Sequence, residues 1–96
     1  MKLVWIVDDD EEMGRAVSLM LKLLGCNTKH FHNPRPAAEA LLAGGKPDLM
    51  ILDINMPEVT GLDILEFLRR RKEWKDLPII MLSSEAADVM VDKALQ

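Results

Sequence analysis

The sequence is short of several things, and each shortage narrows what the chain can be. It has a single cysteine, Cys26, so no disulfide closes within it and a reducing compartment such as the cytoplasm fits. Cys26 is read as a small buried residue rather than a reactive thiol. Tyrosine is absent, and two tryptophans and two phenylalanines are the only aromatics, so the core must be aliphatic. No apolar run approaches the ~18 residues that a membrane-spanning helix needs. The N-terminal apolar stretch runs straight into Asp8, Asp9 and Asp10, where a signal peptide would carry small residues and a cleavage site. Positive charge is in deficit: the net charge is −4, which disfavours direct binding of nucleic acid or of an anionic membrane. Repeats, low-complexity tracts and linkers are missing as well, so residues 1–96 read as one domain.

What is present is a regular alternation of periods. Residues 2–7 form a short β-branched and aromatic run that stops at Asp8, the pattern of a strand buried on both faces. From Glu11 the period becomes helical: Met13, Val17, Met20 and Leu24, flanked by Ala16 and Leu21, predict an inward face, with Gly25 placed to end the helix. Asp10, Glu11 and Glu12 suit the positive end of that helix. Residues 26–31 predict a more polar strand near an edge, with His30 and His32 on one face and no third metal ligand close in sequence. Asn33 to Pro36 break it, and a second helix carries Ala37, Ala40 and Leu41 before stopping at Gly44 and Gly45.

Residues 49–52 predict a third buried strand and deliver Asp53 to its end. A third helix opens near Gly61 with Leu62, Leu65 and Leu68 inward, and it closes on Arg69, Arg70, Arg71 and Lys72, with Trp74 capping it. Residues 78–82 are a fourth, wholly apolar strand, followed by Ser83 and Ser84. From Glu85 onward a fourth helix is expected, with Ala86, Met90 and Ala94 on one stripe. The methionines fall at helical spacing and read as core. The order βαβαβαβα with short connections implies an α/β fold, a parallel sheet covered by helices. The last helix meets no stop signal before Gln96, and the very apolar fourth strand would be left at an edge, so the domain reads as C-terminally incomplete.

Parallel strands bring their C-terminal ends to one edge of the sheet, where open α/β sheets bind ligands. Asp8, Asp9, Asp53 and Ser83 should therefore converge. Two unit charges 4 Å apart cost ~4 kcal/mol at an effective dielectric of ~20, so the carboxylates require a shared proton or a cation. Hard oxygen donors without neighbouring Cys or His favour Mg²⁺. Asp53 is the candidate nucleophile toward phosphorus, Asp8 and Asp9 the candidate metal ligands, with the backbone carbonyl of Asn55 completing the set and Ser83 offering a hydroxyl to the phosphoryl group.

Val7-Asp8-Asp9, the run LDINMP at residues 52–57 followed by Gly61, and the run MLSS at residues 81–84 resemble, over the whole chain, the receiver domain of two-component response regulators. That resemblance implies a flavodoxin-like sheet of order 2-1-3-4-5. It implies Mg²⁺ as cofactor, a sensor histidine kinase or phosphotransfer protein as partner, and phosphorylation of Asp53 without turnover of a separate substrate. Ser83, with Ser84 beside it, would be the switch hydroxyl. Receiver domains also carry a fifth strand with an aromatic switch residue, a lysine just after it and a fifth helix; this chain ends before all of these, and Lys93 falls on the expected last helix, so it holds no catalytic lysine. Two other readings stay open. One is a Mg²⁺-dependent aspartyl-phosphate phosphatase of the haloacid dehalogenase type, for which Asp8-Asp9-Asp10 supplies an Asp-x-Asp. The other is a phosphorylation-incompetent fragment that dimerises through an exposed edge of the fourth strand or the face of the fourth helix.

Overall fold

The computed structural model describes residues 2–53, 61–82 and 89–92. The elements are β1 (Leu3–Val7), α1 (Glu11–Leu23), β2 (Asn27–Phe31), α2 (Pro34–Leu42), β3 (Leu49–Asp53), α3 (Gly61–Arg69), a 3-10 turn (Lys72–Trp74), β4 (Ile79–Leu82) and β5 (Val89–Asp92). They build one sheet of order β2-β1-β3-β4-β5, in which β1 pairs parallel with β2 and β3, and β3 parallel with β4. The four parallel strands and their alternating helices are the predicted flavodoxin-like arrangement.

Alternation along the strands divides the core in two. Trp5 and Val7 of β1, Met50 and Leu52 of β3, and Ile79 and Met81 of β4 face α2 and α3, which contribute Ala37, Leu41, Ile64 and Leu68. Val4, Ile6 and Ile51 face the other way, against Val17 and Leu21 of α1, with Cys26 packed beside them. Both predicted helix stops are used: Gly25 and Gly44 adopt φ of +86° and +104°, where a β-carbon is strained.

Four sequence expectations need correction. First, β5 falls within the stretch read as the fourth helix, and it pairs antiparallel with β4 through Ile80↔Val91 and Leu82↔Val89. Met90 therefore lies on a strand, while the rest of that predicted helix lies outside the described residues. Valines lose χ1 freedom in a helix and suit a strand, and an unpaired β4 edge would leave a row of backbone groups unsatisfied. The return is antiparallel because residues 83–88 are too few for a parallel crossover, which takes a dozen or more. Second, and for the same reason, the β4 edge is not an open dimerisation surface: β5 occupies it.

Third, the inward face of α1 is rotated from the predicted stripe. Val17 and Leu21 pack on the sheet, but Met13, Met20 and Leu24 are exposed together with Leu19 and Leu23. Among the described methionines, Met50 and Met81 are core and Met13 and Met20 are not. Fourth, Leu62 of α3 faces solvent, and Ile64 and Leu68 form the buried pair. Helical spacing leaves the choice among neighbouring stripes open when apolar residues surround most of a helix.

Candidate functional site

β1 and β3 are adjacent and in register, Val7 opposite Leu52, so Asp8 and Asp53 emerge side by side at the C-terminal edge of the sheet. Both are 4% exposed, and they are the only buried charged residues among those described. Asp9 is exposed at the rim. Each of the three offers a carboxylate oxygen, and these atoms all lie within 4.8 Å of one another. The structure thus brings Asp8, Asp9 and Asp53 together, as the strand ends predict. Leu82 of β4 stands opposite Asp53. Asn55, Ser83 and Ser84 lie outside the described residues.

The β1–α1 corner is built by its own hydrogen bonds. Asp8 N–H continues the ladder to Phe31 O at 3.0 Å. Asp8 Oδ1 accepts from Asp10 N at 2.8 Å, and Asp10 is in turn the N-cap of α1, accepting from Glu12 N and Met13 N at 3.0 and 3.2 Å. The cap commits the Asp10 carboxylate to the helix end. An Asp-x-Asp phosphatase site would need it for chemistry, so that alternative loses its second acid.

Burial pushes the Asp8 carboxyl up to about 6 from the ordinary 3.8; the hydrogen bond from Asp10 N–H opposes this, and the charge of Asp53 and a side-chain hydrogen bond shared with it add to the rise. A carboxyl whose ionisation is opposed by burial and by a neighbouring carboxylate marks a site short of positive charge. The donor set consists of hard oxygens with one open, exposed side at Asp9. It fits Mg²⁺, which keeps several waters and needs only one or two carboxylates from the protein.

From sequence, His30 is considered only as a metal ligand beside His32, and its contact with the acidic corner is not foreseen. Its Nε2 lies 2.8 Å from the Asp8 carbonyl oxygen, and its ring packs over Gly14 of α1. The available signal was Gly14 itself, a residue that weakens a helix interior and so marks a close approach.

A family profile described as the response regulator receiver domain matches residues 4–96. Chemotaxis protein CheY-3 of Vibrio cholerae serotype O1 is 35% identical over 93 residues, covering 97% of this chain and 72% of the relative. Chemotaxis protein CheY of Pseudomonas aeruginosa is 33% identical, covering 97% and 75%. Among solved structures, the response regulator TrrA of Thermotoga maritima in complex with Mg²⁺-BeF superposes with a TM-score of 0.79 at 31% identity, covering 88% of this chain and 70% of that one. A sensor protein from Polaromonas sp. JS666 gives 0.81 at 29% identity, covering 88% and 67%. With a matching profile across nearly its whole length and the acidic cluster at the predicted strand ends, the chain belongs to the response regulator receiver domain family.

Proposed function

We propose that this domain receives a phosphoryl group on Asp53 from a phosphohistidine of a sensor histidine kinase or phosphotransfer protein. The observation that carries this reading is the convergence of Asp8, Asp9 and Asp53 at the ends of two paired strands. A carboxylate oxygen of Asp53 attacks phosphorus, the P–N bond to the donor imidazole breaks, and the histidine nitrogen leaves with its electron pair and takes up a proton. Asp53 is held for this by the β3 backbone on a buried floor. Asp8 and Asp9, with the backbone carbonyl of Asn55, would hold Mg²⁺. The ion would neutralise the charge gathered between carboxylates and phosphoryl oxygens. The Mg²⁺-BeF complex of the Thermotoga relative supports that assignment.

Ser83 follows directly on Leu82, the residue opposite Asp53, and is the proposed contact for a phosphoryl oxygen, with Ser84 as its neighbour. The role of the domain is signalling by reversible self-phosphorylation rather than turnover of a substrate.

The test is intact mass after incubation with Mg²⁺ and acetyl phosphate, with Asp53→Asn in parallel. A single base-labile phosphoryl adduct that Asp53→Asn abolishes is expected. An unmodified chain under conditions where another receiver domain is phosphorylated would overturn the proposal, and it would favour the reading in which the chain is phosphorylation-incompetent.

A further inference from the structure

The three acids do not share one means of support. Asp8 and Asp53 are buried, and Asp8 Oδ1 holds the Asp10 N–H, whereas Asp9 is exposed and its carboxylate makes no hydrogen bond among the described residues. Where Asp9 points is therefore decided by the two peptide groups that flank its α-carbon. The following one, Asp9–Asp10, is held by Asp8 Oδ1 on the Asp10 N–H at 2.8 Å. The preceding one, Asp8–Asp9, is held at its carbonyl oxygen by His30 Nε2, also at 2.8 Å.

A carbonyl oxygen only accepts, so Nε2 carries the hydrogen and donates it. In a regular parallel ladder that carbonyl would take an N–H two residues past Phe31, but β2 ends at Phe31 and the chain turns to the Asn33 cap of α2. The imidazole substitutes for the missing rung. Its path to Asp8 crosses α1 at Gly14, where a β-carbon would sit 2.6 Å from Nδ1 and nearer still to Cε1 and Nε2. His32 stacks on its outer side, ring centroids 4.2 Å apart. Helix glycine and stacked partner together leave the ring one place to be.

We infer that His30 is a positioning residue for the phosphorylation site: through the Asp8–Asp9 peptide it fixes where the Asp9 carboxylate meets the metal, and Gly14 exists to admit it. This role rests on the function proposed above. Unlike the pin from Asp8 Oδ1, it does not draw on a carboxylate that the metal itself engages.

The test compares wild type, His30→Gln, His30→Leu, Gly14→Ala and the Gly14→Ala/His30→Leu pair, with urea melts to identify any variant that fails to fold. Mg²⁺ affinity is measured by calorimetry, and the Asp9 amide resonance is followed by NMR without metal. Loss of an outer-shell partner of this kind costs about 10-fold or more in metal affinity. His30→Leu should show that loss and a displaced Asp9 resonance. His30→Gln, whose amide reaches as far as Nε2, should restore both, Gly14→Ala should match His30→Leu, and the pair should be no worse than His30→Leu alone. A wild-type chain that takes up no Mg²⁺ overturns the functional reading and this role with it. Wild-type Mg²⁺ binding left unchanged by His30→Leu, failure of His30→Gln to rescue in a folded protein, or additive losses in the pair overturns this role alone.

Discussion

Asp8 and Asp53, two carboxylic acids at the ends of neighbouring parallel strands, bring carboxylate oxygens within 4.8 Å of each other while almost completely buried. Burial, with the charge of Asp53 beside it, raises the Asp8 carboxyl to about 6 from 3.8. Between these values the folded chain binds more protons than the unfolded one, so stability falls as pH rises. The contribution of Asp8 is complete below pH 3.8 and gone above pH 6. A loss on the order of 1–3 kcal/mol follows from ~1.4 kcal/mol per unit. Urea denaturation in EDTA, repeated from pH 4 to pH 7.5, should trace that decline. Added Mg²⁺ should restore stability chiefly at the upper end, where Asp8 is ionised. A flat profile in EDTA would show that the fold does not raise Asp8.

Asp8→Asn separates the cost of this charge from its use. The amide still accepts from Asp10 N–H and donates to Asp53, and it carries no charge to bury. The metal-free variant should match or exceed wild-type stability at pH 7 and lose the slope between pH 4 and 6. Its stabilisation by Mg²⁺ should fall, because stabilisation by a ligand scales with its affinity for the folded state. A variant that keeps the full Mg²⁺ effect would remove Asp8 from the metal set.

Arg69 at the end of α3 gives a prediction about the frame. Its Nη1 donates to Trp74 O and Lys75 O at 2.8 and 3.1 Å, and its Nη2 to Leu77 O at 2.8 Å. One planar fork thus gathers the turn that leads into β4, and so sets where β4 lies beside Asp53. Lysine has the charge but not the geometry. Arg69→Lys should cost about 1–3 kcal/mol in urea denaturation, the range for lost hydrogen bonds to a charged group, and should speed hydrogen exchange through residues 74–82. Protection unchanged over that stretch would show that packing of Trp74 alone holds the turn.

The parts of this molecule that strand-end logic governs were readable in advance. The run at 49–52 and the abrupt stop at Asp8 were enough to place three carboxylates together, because parallel pairing leaves strand ends on one edge. Two kinds of feature were not readable. The face of α1 was ambiguous because Leu19, Met20, Leu23 and Leu24 give it apolar residues beyond the buried pair Val17 and Leu21. The His30 contact with Asp8 depends on a side chain reaching across 22 positions of sequence, which no local pattern encodes. The β5 pairing belongs with these: Val-Met-Val at 89–91 fits either period, and the unpaired edge of β4 decides between them.

The exposed side of α1 yields the last prediction. Met20, Leu23 and Leu24 are 64%, 81% and 77% exposed, and they form one flank with Leu19 and Met13. The flank adjoins the thinner side of the sheet, where α1 is the only described helix over Val4, Ile6 and Ile51. Contiguous apolar surface of this kind associates. The apparent mass in sedimentation velocity should therefore rise with protein concentration. Leu23→Glu with Leu24→Lys should suppress that rise while changing stability by no more than about 0.5 kcal/mol, since neither side chain is packed in the fold. Phosphorylation of Asp53 should be untouched, because Leu23 and Leu24 lie at the C-terminal end of α1, whereas the acidic corner adjoins its N-terminus. A monodisperse monomer at every concentration would show that this face stays in water without a partner.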